Sequence, residues 1–456
     1  MNHLSRRQLL AALTAASLTP AADTAKRGGR VLSTRPQDYE MGLDGFLEYL
    51  TPVDRFYVRS HHYTPTLDVA AFRLDVAGDV SQALTLSLDD LKKMPKLELV
   101  SVCECAGNGR SLYEPALIGL QWQHGAVGNA RWGGVRLGDV LKRAGLKSNA
   151  KFILFDGADV PVGTMPDFQR GIPAAKALHP DTLLAYEMNG EALPVSHGAP
   201  LRVVVPGWAG DSWVKWVTRI TAMDKESDGF FMKTGYRHPG KAVTPGSAVD
   251  PAQMKPVEKI SVKSVIATPN ENATVAAGAP VRIAGAAWAG TSPIAAVEVS
   301  TDRGRTWRPA TLGADRHTYG WRLWHHDWRP TVTGHYIVMA RARTVSGEGQ
   351  PFEPEWNPSG YMWNVIHRVA VNVMDNPAAA AAAPAASPSF PTDGAPRSYQ
   401  QGCIGCHEED VIAQQRLTRA QWDRELTKMT NWGAKVAPSD RNEILDFLAK
   451  RFGPRR

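Results

Sequence analysis

Apolar and polar positions alternate with different periods along this chain, and the period divides it into segments. Residues 40–250 mix short apolar runs, Gly/Pro turns and a few amphipathic stretches. Leu137-Gly-Asp-Val-Leu-Lys-Arg-Ala-Gly145 carries helical spacing closed by glycine, and Leu201-Arg-Val-Val-Val-Pro206 reads as a buried strand. The pattern predicts an α+β domain large enough to enclose a cofactor. Over 256–376 the helical period disappears. Val281-Arg-Ile-Ala-Gly, Ile294-Ala-Ala-Val-Glu-Val-Ser300 and Tyr336-Ile-Val-Met-Ala-Arg-Ala-Arg343 alternate with period two between turn residues, which predicts an immunoglobulin-like β-sandwich. Residues 377–396, a run of alanines with scattered prolines, have too little apolar bulk to pack and read as a linker. Residues 398–456 return to helical spacing, in Arg419–Met429 and Arg441–Lys450, and predict a small all-α domain.

At the start, paired Arg6 and Arg7 precede an apolar run through Leu18 and small residues around Ala21, Ala22 and Ala25. Residues 1–25 therefore read as an export signal of the twin-arginine type, and the expected location is periplasmic. The run is too short to span a bilayer, and no other stretch is apolar for long enough, so no stable membrane span is expected. Hydrophobic residues at 43% and charged residues at 21% of 456 are those of a globular protein of several domains. The net charge of +7 is spread along the chain. It supports no nucleic-acid role, and a basic surface suits anionic substrates or acidic redox partners.

The chain has 4 cysteines. Cys403-Ile-Gly-Cys406-His407 offers two thiols for thioether bonds to haem vinyl groups and an adjacent imidazole for iron. A bare CxxC reads equally as a disulfide or half of a zinc site; the immediate histidine and the lack of a second CxxC favour covalent haem c. No other histidine follows His407, and Met429 is the only methionine beyond the motif. Met429 is thus the candidate sixth iron ligand, the alternative being a core methionine with water or lysine on the iron. Bound haem would also supply the stability that so small a domain needs. Cys103 and Cys105 lie two apart in Val102-Cys-Glu-Cys-Ala-Gly-Asn-Gly-Arg110, a spacing hostile to a disulfide if the segment is a strand.

Phe56-Tyr-Val-Arg59-Ser-His61, Cys105-Ala-Gly-Asn-Gly-Arg110, Gly119-Leu-Gln-Trp122, Ala130-Arg-Trp132-Gly-Gly-Val, Glu187-Met-Asn-Gly190, His197-Gly-Ala-Pro-Leu-Arg202 and Val214-Lys215-Trp216, in this order, resemble the sulfite oxidase family of molybdenum enzymes. The resemblance runs from roughly residue 40 to 376. It implies a molybdopterin domain, then an immunoglobulin-like dimerisation domain, and a possible homodimer. It places Cys105 as the thiolate ligand of molybdenum, a role that suits a soft sulfur donor. His61, Asp159, His197, Arg202 and Lys215 fall where the family holds the pterin and its phosphate. Arg59 and Arg110 match its substrate-side arginines, and Trp122 and Tyr236 its aromatic wall. Cys103 is expected to be a small buried residue.

The implied activity is oxidation of sulfite to sulfate at a Mo-molybdopterin centre. Electrons would leave singly through the fused haem c, which the linker lets swing toward an external cytochrome c or other acceptor. The sequence departs from the family at Gly235, at Asp211-Ser212-Trp213 and at Ser359, where several members carry a substrate arginine. A sulfane-sulfur dehydrogenase of a thiosulfate-oxidising system is the enzymatic alternative. An electron-transfer cytochrome with a non-catalytic molybdenum-like domain is the alternative of another class.

Overall fold

The computed structural model describes residues 25–375 and 394–454. The predicted export signal, save its last residue, and most of the predicted linker lie outside the described residues.

The first domain is built from two five-stranded sheets and a small three-stranded one. One sheet runs Glu191–Ala192, Leu183–Met188, Val127–Arg136, Lys96–Glu104, with Arg202–Val204 added beside Leu183–Met188. The other runs Leu84–Leu86, Leu74–Gly78, Val217–Met223, Phe152–Gly157, Gln169–Pro173. The small sheet is Arg30–Thr34, Gln37–Glu40 and Val58–Arg59.

Lys96–Glu104 alternates exposed and half-buried positions over its first half and is buried throughout its second, Val100–Glu104. That second half is covered on both faces, so it carries Val, Ser and Cys rather than an alternating pattern. It pairs antiparallel with Val127–Arg136, with Cys103 opposite Gly128 and Glu104 opposite Val127. Gly134 permits the close approach of Leu183–Met188: a Cβ there would stand 2.0 Å from the Leu184 carbonyl oxygen.

Helices in this domain are short, the longest being Leu137–Arg143. It buries Leu137, Val140 and Leu141, and the chain turns away at Gly145 with φ of 68°. Within the expected α+β domain the helical share is small and the domain is β-rich. Strand pairing captured most of the apolar runs, and the helices between them last only one or two turns.

The second domain is the expected sandwich. Lys263–Thr268, Val281–Trp288, Arg322–Trp328 and Thr311–Leu312 form one sheet. Ala273–Ala276, His367–Met374, Gly334–Thr344, Ile294–Ser300 and Arg308–Pro309 form the other. Ile266, Ile283, Val297, Val299, Trp324, Val338 and Val371 fill the space between them.

The C-terminal unit has helices Arg397–Cys403, Asp410–Ala413, Arg419–Asn431 and Arg441–Arg451. Thr418 and Gln421 form a reciprocal cap at the start of the third, whose buried residues are Trp422 and Leu426, four apart on one face. These pack with Tyr399, Leu417, Ile444, Leu448 and Phe452 into a small core. Among the described residues, no helix is long and apolar enough to cross a membrane.

Candidate functional site

Cys105 follows directly on strand Lys96–Glu104. Its N–H donates to the Ala126 carbonyl at 2.9 Å, and its own carbonyl accepts from Asn108 N–H at 2.9 Å, so the turn folds back over the cysteine. Gly109 makes this possible with φ of 91°, and a Cβ there would meet the Trp363 side chain at 2.6 Å.

The turn closes one end of a cavity. Cys105, Arg59, His61, Asp159, His197, Arg202, Lys215 and Tyr236 all line it, drawn from segments up to 177 positions apart (236 − 59). Arg59 ends the small sheet, and Arg202 opens strand Arg202–Val204. His197 sits in the turn Val195–His197, which ends at left-handed Gly198.

Two of the predicted residues are not part of the wall. Arg110 lies one layer behind it, its guanidinium over the Tyr361 ring at 5.2 Å, and Tyr361 stacks on Tyr236 at 5.5 Å. Trp122 is fully buried in the main core, where its carbonyl accepts from Ser111 Oγ at 2.9 Å. Cys103, expected as a plain core residue, is buried but also lines the cavity, with its Sγ 3.1 Å from Tyr57 Oη. All four cysteines are free thiols.

Sequence reasoning missed the groups that orient these residues. Arg59 pairs with buried Asp38 at 3.2 Å and also donates to the Ser60 carbonyl. Asp38 comes from an earlier hairpin strand and carries no motif. Arg170 and Asp211 form a fully buried pair at 2.6 Å, and the Arg170 guanidinium lies 5.3 Å from the Tyr236 ring centre. In the sequence, position 211 stands out only as a departure in the phosphate segment. Lys215 Nζ donates to Ser60 Oγ at 2.9 Å and the Ser196 carbonyl at 3.0 Å. Tyr236 Oη and His61 Nε2 are 2.9 Å apart.

Electrostatics make the cavity a receptor for an anion. Burial, with the Arg202 charge beside it, pushes Lys215 down to about 7. Burial also holds His61 and His197 well below the ordinary histidine range, so both imidazoles are neutral. The same burial raises Asp38, Asp159 and Asp211 to about 6 and the Cys105 thiol to about 11. Among the described residues, Arg202 Nε is buried without a hydrogen-bond partner. An anionic group in the cavity would relieve both the crowded cations and this orphaned donor. Cysteine thiols among arginines, a lysine and histidines therefore fit a metal that arrives on a phosphorylated organic carrier.

A second cavity adjoins the first. Cys403, Cys406, His407 and Met429 line it together with apolar Ile412, Trp422, Leu426 and Leu448. Its opposite wall includes Arg59, Ser60 and His61, which line the first cavity as well. A large apolar chamber edged by two thiols and an imidazole has the donor set for a covalently attached planar macrocycle.

The fold and first cavity define a molybdopterin-binding oxidoreductase. The model of the oxidoreductase molybdopterin-binding domain matches residues 61–231, and that of the Mo-co oxidoreductase dimerisation domain matches residues 254–374. Sulfite oxidase of Gallus gallus is 34% identical over 357 residues, covering 75% of this chain and 77% of that protein. The mitochondrial sulfite oxidase of Rattus norvegicus is 38% identical over 362 residues, covering 76% of this chain. The chain spans 66% of the length of that relative. Among solved structures, the sulfane dehydrogenase SoxCD from Paracoccus pantotrophus superposes with a TM-score of 0.64 at 27% identity, covering 75% of this chain and 88% of that one. The chain belongs to the sulfite oxidase family.

Proposed function

We propose that this protein is an exported, periplasmic sulfite dehydrogenase, which oxidises sulfite at a Mo-molybdopterin centre and releases the electrons singly through its own haem c. The observation that supports the reading is the sharing of Arg59, Ser60 and His61 by the two cavities, so that a molybdenum centre in one and a haem in the other would lie back to back. Overall, sulfite and water become sulfate, two protons and two electrons, and the electrons pass to an external cytochrome c or other acceptor.

Molybdenum on its pterin supplies two-electron redox and oxygen-atom chemistry when bound. Cys105 would hold the metal as thiolate, a state that coordination favours over the neutral thiol. Arg202, His197, Lys215 and Asp159 would hold the pterin and its phosphate. Arg59, fixed by Asp38, offers the incoming oxyanion a permanent positive charge. Burial holds the Tyr236 hydroxyl well above its ordinary range, so the Tyr236–His61 pair is neutral and orients substrate without competing for charge. Haem c would be attached through Cys403 and Cys406 and ligated by His407 and Met429, giving a one-electron exit. The linker lets a folded molybdenum domain be exported before the tail receives haem, and the dimerisation domain would join two copies.

A sulfane-sulfur dehydrogenase is the second reading, favoured by the fold shared with SoxCD. An anaerobic optical spectrum before and after each sulfur compound, with molybdenum and iron quantified, tests both. Sulfite is expected to bleach the oxidised haem bands and bring up the reduced ones. Reduction by a protein-bound persulfide or thiosulfate but not by sulfite would transfer the assignment to the second reading. Haem iron without molybdenum would leave only an electron carrier.

A further inference from the structure

The chain ahead of the first strand is tied to the first cavity from two sides. Lys26 Nζ donates to the Val53 carbonyl at 2.6 Å and stands 2.9 Å from His197 Nε2. Val53 lies just before the run Phe56–His61, every residue of which lines the cavity, and His197 lines it from its own turn. One ammonium therefore bridges two wall segments 144 positions apart (197 − 53). The residues after Lys26 hold it there. Arg27 N–H donates to the Asp54 carbonyl at 3.0 Å, and its guanidinium pairs with the Asp54 carboxylate. Tyr39 Oη donates to the Arg27 carbonyl at 2.5 Å. Gly29 lets this stretch lie flat on the strand Gln37–Glu40, since a Cβ there would stand 2.1 Å from the Glu40 carbonyl oxygen.

A lysine ammonium only donates, so Nε2 of the neutral His197 accepts and the ring proton is left on Nδ1. Phe56 meets the same ring edge-on at 5.3 Å between centres. The imidazole is thus held in one orientation and one tautomer, and a ring so fixed can donate to an oxygen acceptor. We propose that residues 26–30 form a strap that belongs to the cofactor site, with Lys26 as the positioning residue that sets His197 for a molybdopterin. The inference rests on the proposed function in taking His197 as a pterin contact. The Lys26 charge joins those of Arg202 and Lys215 around that imidazole, and an anionic phosphate on the carrier relieves their crowding. Binding linkage is reciprocal, so a strap that steadies the bound cofactor is steadied by it in equal measure.

The test uses the full-length protein, matured with and without molybdopterin. Lys26→Met removes hydrogen bonds from a charged donor, and molybdenum and pterin should leave the warmed holoprotein about tenfold faster than they leave the parent. Metal and pterin retained after gel filtration measure this without recourse to turnover. In the parent, amide exchange at Arg27, whose N–H reaches Asp54, should be slower in the loaded protein than in the cofactor-free protein. A merely structural strap would be equally protected in both. Loss of molybdenum at the parent's rate, or Arg27 exchange indifferent to the cofactor, overturns the proposal. Both expected results in a protein whose haem sulfite does not reduce would sink the sulfite reading and leave the strap standing. A protein that takes up no molybdopterin sinks the reading and the strap's role together. If the variant does not fold, amide exchange in the parent alone decides.

Discussion

Cys105 is the residue on which the proposed chemistry turns, and the structure gives it a neighbourhood that Cys103 shares only in part. Both thiols border the cavity, but Cys103 is engaged by Tyr57 Oη at 3.1 Å, while Cys105 is influenced by Arg59 and Arg110. Cys105→Ser should abolish sulfite turnover and leave the haem spectrum intact; turnover above a few per cent of the parent's would remove the assignment. Met429 borders the same chamber as His407. Met429→Ala should change the haem potential and the sulfur-to-iron absorption while molybdenum-centred turnover with an artificial acceptor persists. An unchanged haem spectrum would return Met429 to the core. At this scale the motifs pick out side chains that the fold gathers into one cavity, as with His61, His197, Arg202 and Lys215. They also pick out Arg110 and Trp122, which stand behind that wall, because the same local sequence can point a side chain into the cavity or into the layer behind it. Asp38 was invisible, since a carboxylate in a hairpin gains its meaning only from the arginine that folding sets beside it.

Between elements, strand Lys96–Glu104 is tied to the second domain through Glu104. Its carboxylate accepts from Lys263 and, at 2.8 Å, from Trp288 Nε1, both in the sandwich, and from Asn108 in the Cys105 turn at 2.9 Å. Glu104→Ala would leave a buried Lys263 charge unpaired, which costs roughly 3–5 kcal/mol. Denaturant unfolding is expected to show that loss, together with weakened cofactor retention as the Cys105 turn loosens.

The same joint holds His124 and His367, half-buried with ring centres 4.2 Å apart. His367 Nδ1 accepts from Ile266 N–H at 2.9 Å, and burial lowers His367 to about 4 and His124 well below its ordinary value. The unfolded chain therefore binds more protons than the folded one between about 6.5 and 4. Stability from His367 is present above pH 6.5 and is lost as pH falls toward 4, by roughly 3 kcal/mol in all. Melting temperature against pH should fall less steeply over that window in His367→Gln, and an equal slope would refute the role. The strands that build this joint were legible from period-two alternation. The fully buried half of Lys96–Glu104 was not, because a strand covered on both faces has no alternation to read.

For the whole molecule, stability is distributed unevenly. The C-terminal unit packs around a small core and borders an apolar chamber, so a group that fills the chamber would add to its stability. Protein matured without haem should show fast amide exchange through Arg419–Asn431 and Arg441–Arg451, while Lys96–Glu104 stays protected. Equal protection in both forms would show that haem is not what stabilises the unit.

The sequence alone determined what is local: the sandwich from its alternation, the helices of the tail from their spacing, the CxxCH donor set, and the cysteine before Ala-Gly-Asn. Those follow from period and from covalent adjacency, which folding does not alter. Only the tertiary structure decided that two cavities share Arg59, Ser60 and His61, that Arg110 stands behind the wall, that the first domain is mainly sheet, and that the tail is seated on that domain by hydrogen bonds. Each of these depends on the direction of side chains and on strands meeting across long stretches of chain, where many alternatives satisfy the same local pattern and packing selects one.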